Sequence, residues 1–161
     1  MIALKTKRLP NEQVYPCNGH GTGLNSIKKR SPLSCLIVTG SEGGFRWAGT
    51  VAPLLACHGY AALALAYFDY QGMEGLPTSL MEIPLEYFER AIAWMGKQPQ
   101  VNRDKLAVVG ISKGGELALL LGSTFPEIKS VVAYVPSGVV WQSFTIGASD
   151  KAITKINFCF F

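Results

Sequence analysis

The chain has 161 residues, 48% apolar and 16% charged, with 17 glycines and 9 prolines, which suits one globular domain and excludes general disorder. Its net charge of +4 includes one basic cluster, Lys28-Lys29-Arg30; no second basic stripe accompanies it, so it reads as a solvated loop and no nucleic-acid partner is expected. The longest apolar run, Tyr60 to Phe68, has 9 residues against the roughly 18 to 20 that cross a bilayer, so no membrane span is expected. Lys5, Lys7 and Arg8 follow Met1-Ile2-Ala3-Leu4 at once, leaving no apolar signal segment. A cytoplasmic location is expected, with the peroxisome and mitochondrion left open.

Residues 1–32 are polar, are broken by Pro10, Pro16, Gly19, Gly21 and Gly23, and show no sustained period. They form an irregular lead-in with room for a short strand. From residue 33 to 142 apolar runs alternate with helical stretches, the pattern of a mostly parallel sheet with flanking helices. Ser34 to Thr39 reads as a strand buried on both faces, followed by the Gly-rich turn Gly40-Ser41-Glu42-Gly43-Gly44. A helix is expected near Trp47 to Cys57, its regular part starting close to Pro53, with Gly59 as its stop.

Tyr60 to Ala66 is a second buried strand, and Tyr67 to Ser79 a loop. In the next helix Pro84 suits the first turn, Leu85, Phe88, Ile92 and Met95 form the apolar stripe, and Glu86 is spaced to pair with Arg90. A third strand is expected at Leu106 to Val109, a helix from Lys113 to about Thr124, and a fourth strand at Ser130 to Val135. Residues 143–161 lose the pattern; the closing KAITKINFCFF has neither turn nor cap and reads as a truncated tail.

The four cysteines, Cys17, Cys35, Cys57 and Cys159, match no CxxC pattern, so neither disulfide nor metal is expected. Cys35 and Cys57 read as small buried hydrophobes. Cys159 is third from the end, where a prenylation signal needs the fourth position. Trp47, Trp94 and Trp141 read as packing.

Gly110-Ile111-Ser112-Lys113-Gly114 has the form G-x-S-x-G between a buried strand and a helix, the setting of a nucleophile elbow. The turn strains the serine backbone, and side chains at Gly110 and Gly114 would collide around it. Ser112 is the candidate nucleophile. The backbone N–H of Lys113 is one candidate oxyanion donor, and those of Glu42 and Gly43, in the turn at the same sheet edge, are candidates for the second. A plainer reading makes Ser112 a helix N-cap in a tight turn.

Beyond this motif, TGSEGGFRWAG, LLACHGYAALALAYFDYQG, EIPLEYFERAIAWM, VGISKGGELALLLG and VVAYVPSGVVW together resemble the C-terminal α/β-hydrolase domain of acyl-CoA thioesterases and bile acid-CoA:amino acid N-acyltransferases. The resemblance covers about two thirds of the chain. It implies a partial α/β-hydrolase fold lacking the last strands, a serine nucleophile at Ser112, acyl-CoA as substrate, no cofactor, and an Asp and a His further along. Serine, where the acyltransferase relatives carry cysteine, favours hydrolysis over transfer.

The triad of this fold runs Ser, then Asp or Glu, then His. After Ser112 come Glu116, Glu127 and Asp150 but no histidine, so neither triad acid nor histidine is assigned. His58 reads as a helix C-terminal residue far from the nucleophile, and His20 falls in the unpatterned lead-in. Three readings follow: a serine acyl-CoA hydrolase or a fragment of one, an inactive module that binds acyl-CoA or a partner, and a different carboxylesterase or dienelactone-hydrolase-like enzyme. If Ser130–Val135 is an edge strand, it is a surface for self-association, which Lys at Ala133 would weaken should that residue face outward.

Overall fold

In the computed structural model the described residues are 12–14, 33–70 and 75–139. They form a five-stranded sheet: β1 (Glu12–Val14), β2 (Ser34–Val38), β3 (Ala61–Leu65), β4 (Leu106–Ile111) and β5 (Ile128–Tyr134), in the spatial order β1-β3-β2-β4-β5. β2 pairs in parallel with β3 and with β4, and β4 in parallel with β5, whereas β1 runs antiparallel to β3. The helices are α1 (Arg46–Cys57), α2 (Leu85–Met95) and α3 (Lys113–Thr124).

Strand parity assigns the faces. Leu36, Leu63 and Val108 pack with Phe88, Ile92, Leu117 and Leu121, so α2 and α3 cover one face. Cys35, Ile37, Ala64 and Ala107 pack against Ala48 and Ala52 of α1 on the other. Because β2 is covered on both faces, all five of its residues are buried, which is why its sequence is apolar without alternation.

Pro53 lies inside α1, which starts at Arg46 rather than near the proline. Burial of Ala48 and Ala52, both 0% exposed, extends the helix upstream although an interior proline costs about 3 kcal/mol. At its end the Gly59 N–H reaches Ala56 O and the Tyr60 N–H reaches Leu55 O, with Gly59 at φ +87. This is the double closure for which glycine is suited.

The amphipathic α2 buries Phe88, Ala91, Ile92 and Met95. Pro84 caps it from the extended region instead of occupying its first turn. The expected Glu86–Arg90 ion pair does not form; among the described residues the ion pair is Lys113–Glu116. Both Glu86 and Arg90 are exposed, where such a pair is worth only about 0.3–0.5 kcal/mol against the entropy of fixing two long side chains.

On β5, Ala133 pairs with Gly110 on the α3 face and is half-buried, so it does not face outward. The outward positions are Val132 and Tyr134, in the parity of the α1 face and 52% and 61% exposed. α3 lies close to this strand, since a Cβ on Gly122 would approach Val131 Cγ2 to 2.3 Å. Among the described residues no helix is long and apolar enough to cross a membrane.

Candidate active site

The connection after β2 passes through α1 on one face, and that after β4 through α3 on the other. This reversal opens a crevice at the carboxyl ends of β2 and β4, where open α/β sheets bind ligands. The turn after β2 and Ser112 after β4 both lie there.

Ser112 sits between the last residue of β4 and the first of α3, at φ 52 and ψ −119, a backbone region that a residue bearing Cβ enters only at a cost of about 1–3 kcal/mol. Its N–H donates to Tyr134 O at 2.9 Å, and its carbonyl accepts from the Glu116 N–H at 3.1 Å. The Ser112 side chain is exposed and makes no capping hydrogen bond, so the plain N-cap role is not what it performs.

Close packing holds this shape. A Cβ on Gly110 would stand 1.9 Å from Gly114 O, and one on Gly114 2.2 Å from Thr39 O. No side-chain movement relieves either clash, because both obstacles are backbone. Gly40 is a third close approach: its Cβ would lie 3.0 Å from Ile111 O and 3.3 Å from Ser112 Cβ. Sequence reasoning gave a steric role to the two elbow glycines and placed Gly40 in the Gly-rich turn without one. The overlooked signal is the Thr39-Gly40 pair that ends an otherwise apolar strand.

The fully buried Thr39 ties the turn to the sheet. Its carbonyl accepts from Tyr67 Oη–H at 2.8 Å, and its hydroxyl donates to Glu42 Oε1. Gly43 and Gly44 adopt φ +66 and +57. The Gly43 N–H points at Gly40 O over a long 3.4 Å, and the Gly44 N–H donates to Phe68 O at 3.0 Å. No described carbonyl accepts from the Glu42 N–H. Around this turn an open cleft of about 540 Å³ is lined by Glu42, Gly43, Gly44, Arg46, Asp69 and Tyr70.

In the first turn of α3, buried Lys113 Nζ and Glu116 Oε2 are 2.7 Å apart. The pair engages Glu116, and together with the Glu116 N–H bond to Ser112 O it fixes the turn that carries the Lys113 N–H.

His58 is exposed at the opposite end of α1, its Nδ1–H donating to Leu54 O at 2.8 Å. The structure thus does not bring His58 to Ser112. Glu127 is exposed on the segment entering β5, and His20 and Asp150 lie outside the described residues. Cys35 is buried, and desolvation pushes its thiol from 9.0 up to about 11; Cys57, expected buried, is exposed at the end of α1. Trp47 and Trp94 are partly buried against the two cores. Among the described residues no cluster of His, Cys, Asp or Glu could hold a metal ion.

Residues 83–158 match the BAAT / acyl-CoA thioester hydrolase C-terminal family. Human acyl-coenzyme A thioesterase 6 is 46% identical over 81 residues, 50% of this chain and 18% of that protein. Mouse acyl-coenzyme A amino acid N-acyltransferase 1 is 42% identical over 105 residues, 65% of this chain and 24% of that protein. The chain therefore matches at most about a quarter of the length of these relatives. Among solved structures, a candidate dienelactone hydrolase from Klebsiella pneumoniae superposes with a TM-score of 0.60 at 20% identity, over 83% of this chain and 62% of that one. MGS-M1, an α/β hydrolase from a deep-sea metagenome library, gives 0.54 at 22% identity over 83% and 61%. The architecture is a partial α/β-hydrolase fold.

Proposed function

Because residues 83–158 match the BAAT / acyl-CoA thioester hydrolase C-terminal family, we propose that this chain carries the nucleophile half of a serine acyl-CoA thioester hydrolase. The observation that carries the reading is the strained, exposed and uncapped Ser112, held at the switch point by glycines that admit no side chain. Its Oγ attacks the thioester carbonyl, CoA leaves as the thiolate, and water releases the fatty acid from the serine ester. The Lys113 N–H, at the start of α3, and the Glu42 N–H, from the turn beside it, receive the developing oxyanion. The Gly43 N–H is the weaker candidate, since it is turned toward Gly40 O.

An inactive module is the second reading, favoured by the place of His58 at the far end of α1 from Ser112. Without a histidine base the serine stays largely protonated, and loss of triad members removes several powers of ten in rate. The 161-residue chain is thus expected to hydrolyse palmitoyl-CoA slowly, and Ser112→Ala to abolish what remains. Release of free thiol from palmitoyl-CoA, followed in both proteins, is the test. Residual turnover that persists in Ser112→Ala would overturn the assignment, and rapid turnover lost in Ser112→Ala would place a full base in this chain.

A further inference from the structure

We infer that Tyr67 is a positioning residue for the oxyanion site, its buried hydroxyl setting how far the turn after β2 stands from the elbow. The inference rests on Ser112 being the nucleophile and on the Lys113 and Glu42 N–H groups receiving the oxyanion. β2 keeps register with both neighbours up to Val38, which pairs with Leu65 of β3 and Gly110 of β4. One residue further on, where both registers have ended, the chain leaves the sheet to make the turn. A side chain holds it at that point: Tyr67 Oη–H donates to Thr39 O at 2.8 Å, and both residues are fully buried.

The Thr39–Gly40 peptide is where turn and elbow touch. Thr39 O is the atom that a Cβ on Gly114 would meet at 2.2 Å, and a Cβ on Gly40 would come within 3.3 Å of Ser112 Cβ. The Tyr67 hydroxyl thus grips the carbonyl that is wedged against the elbow. The Thr39 hydroxyl in turn donates to Glu42 Oε1, so the gripped residue also places Glu42. The Lys113 N–H lies on the elbow side of this contact and the Glu42 N–H on the turn side, which makes their separation depend on how firmly Thr39 is held.

Tyr67 is itself braced. Its ring makes edge contacts with Phe68 and with Phe88 of α2, at centroid distances of 5.1 and 5.4 Å. Removing only the hydroxyl takes a donor from a buried carbonyl and releases the turn on the side away from the elbow. Oxyanion donors act over about 2.7–3.1 Å, and a misplacement of about 1 Å can cost on the order of 100-fold in rate.

The test is labelling of Ser112 by an alkyl fluorophosphonate, in which Oγ bonds to phosphorus, fluoride leaves and negative charge builds on the phosphoryl oxygen. The maximal labelling rate and the probe concentration that gives half of it are measured in the 161-residue chain, Tyr67→Phe, Ser34→Ala and Ser112→Ala. Phe can keep both ring contacts, so Tyr67→Phe deletes the hydroxyl alone. Ser34→Ala is the control for a purely structural loss: it removes the bond from the Asn102 N–H to Ser34 Oγ, 3.0 Å long, at the opposite end of the same strand. Thermal melting records what each loss costs in stability.

Tyr67→Phe is expected to lower the maximal rate about tenfold or more while the half-saturating concentration stays within about twofold, the pattern of an interaction made only in the transition state. Ser34→Ala is expected to lower the melting temperature and to leave both labelling parameters as they are. An unchanged maximal rate in Tyr67→Phe, or an equal fall in Ser34→Ala, would reduce Tyr67 to a stabilising role and overturn the inference while leaving Ser112 standing. A parent chain without Ser112-dependent labelling would remove the nucleophile reading and the inference with it.

Discussion

Gly114 and Thr39 meet so closely that the elbow and the end of β2 form one rigid unit. Gly114→Val is expected to lower stability by about 3 kcal/mol or more, because a β-branched group must displace backbone and not merely a neighbouring side chain. Urea unfolding of the variant tests this; an unchanged midpoint with unchanged fluorophosphonate labelling would refute it. Cys35 offers a second test. Its thiol is held up to about 11 by burial, so between pH 9 and 11 the unfolded chain releases a proton that the folded one keeps. Stability is accordingly full below pH 9 and declines as pH rises through that window. At pH 8, iodoacetamide is expected to modify Cys57 and to spare Cys35 until denaturant is added, as peptide mapping would show. Ser112, Gly110 and Gly114 were legible in the sequence because the strand and helix around them were legible. Thr39, Gly40 and the Lys113–Glu116 pair were not, since each acts through a neighbour that only the fold supplies.

Among the elements, α3 was read to its last residue, because glycine and serine open it and the β-branched run of β5 follows it closely. β2, β3, β4 and β5 were found with ends shifted by one to two residues, as fraying and pairing decide ends that composition does not. α1 was misjudged at Pro53, where local propensity yields to two buried alanines. β5 was expected to be an apolar edge, and parity now identifies its outward residues as Val132 and Tyr134. We expect Val132→Lys, rather than a change at Ala133, to reduce self-association of the chain by placing charge on that uncovered stretch. Size-exclusion chromatography with light scattering at micromolar concentration decides. A parent chain that is monomeric throughout, or a variant that associates equally, would count against it.

At the scale of the whole molecule, the alternation of apolar runs with helical stretches and the strand–turn–helix setting of Ser112 placed that residue at the carboxyl edge of a parallel sheet. The turn at Gly40–Gly44 was placed at the same edge by the same logic, although which of its groups faces Ser112 depends on side-chain packing that no period encodes. The parallel register of β2 also governs when the protein can form at all. Leu36 pairs with Leu63 and with Val108, so the central strand obtains its second neighbour only from roughly seventy residues farther along, a high contact order that slows folding. On the ribosome β2 emerges long before β4, and its four apolar residues, Cys35 to Val38, remain without that partner while α1, β3 and α2 are synthesised. Nascent β2 therefore stays open to non-native contacts until β4 is made, and the elbow takes shape only where β4 locks onto β2.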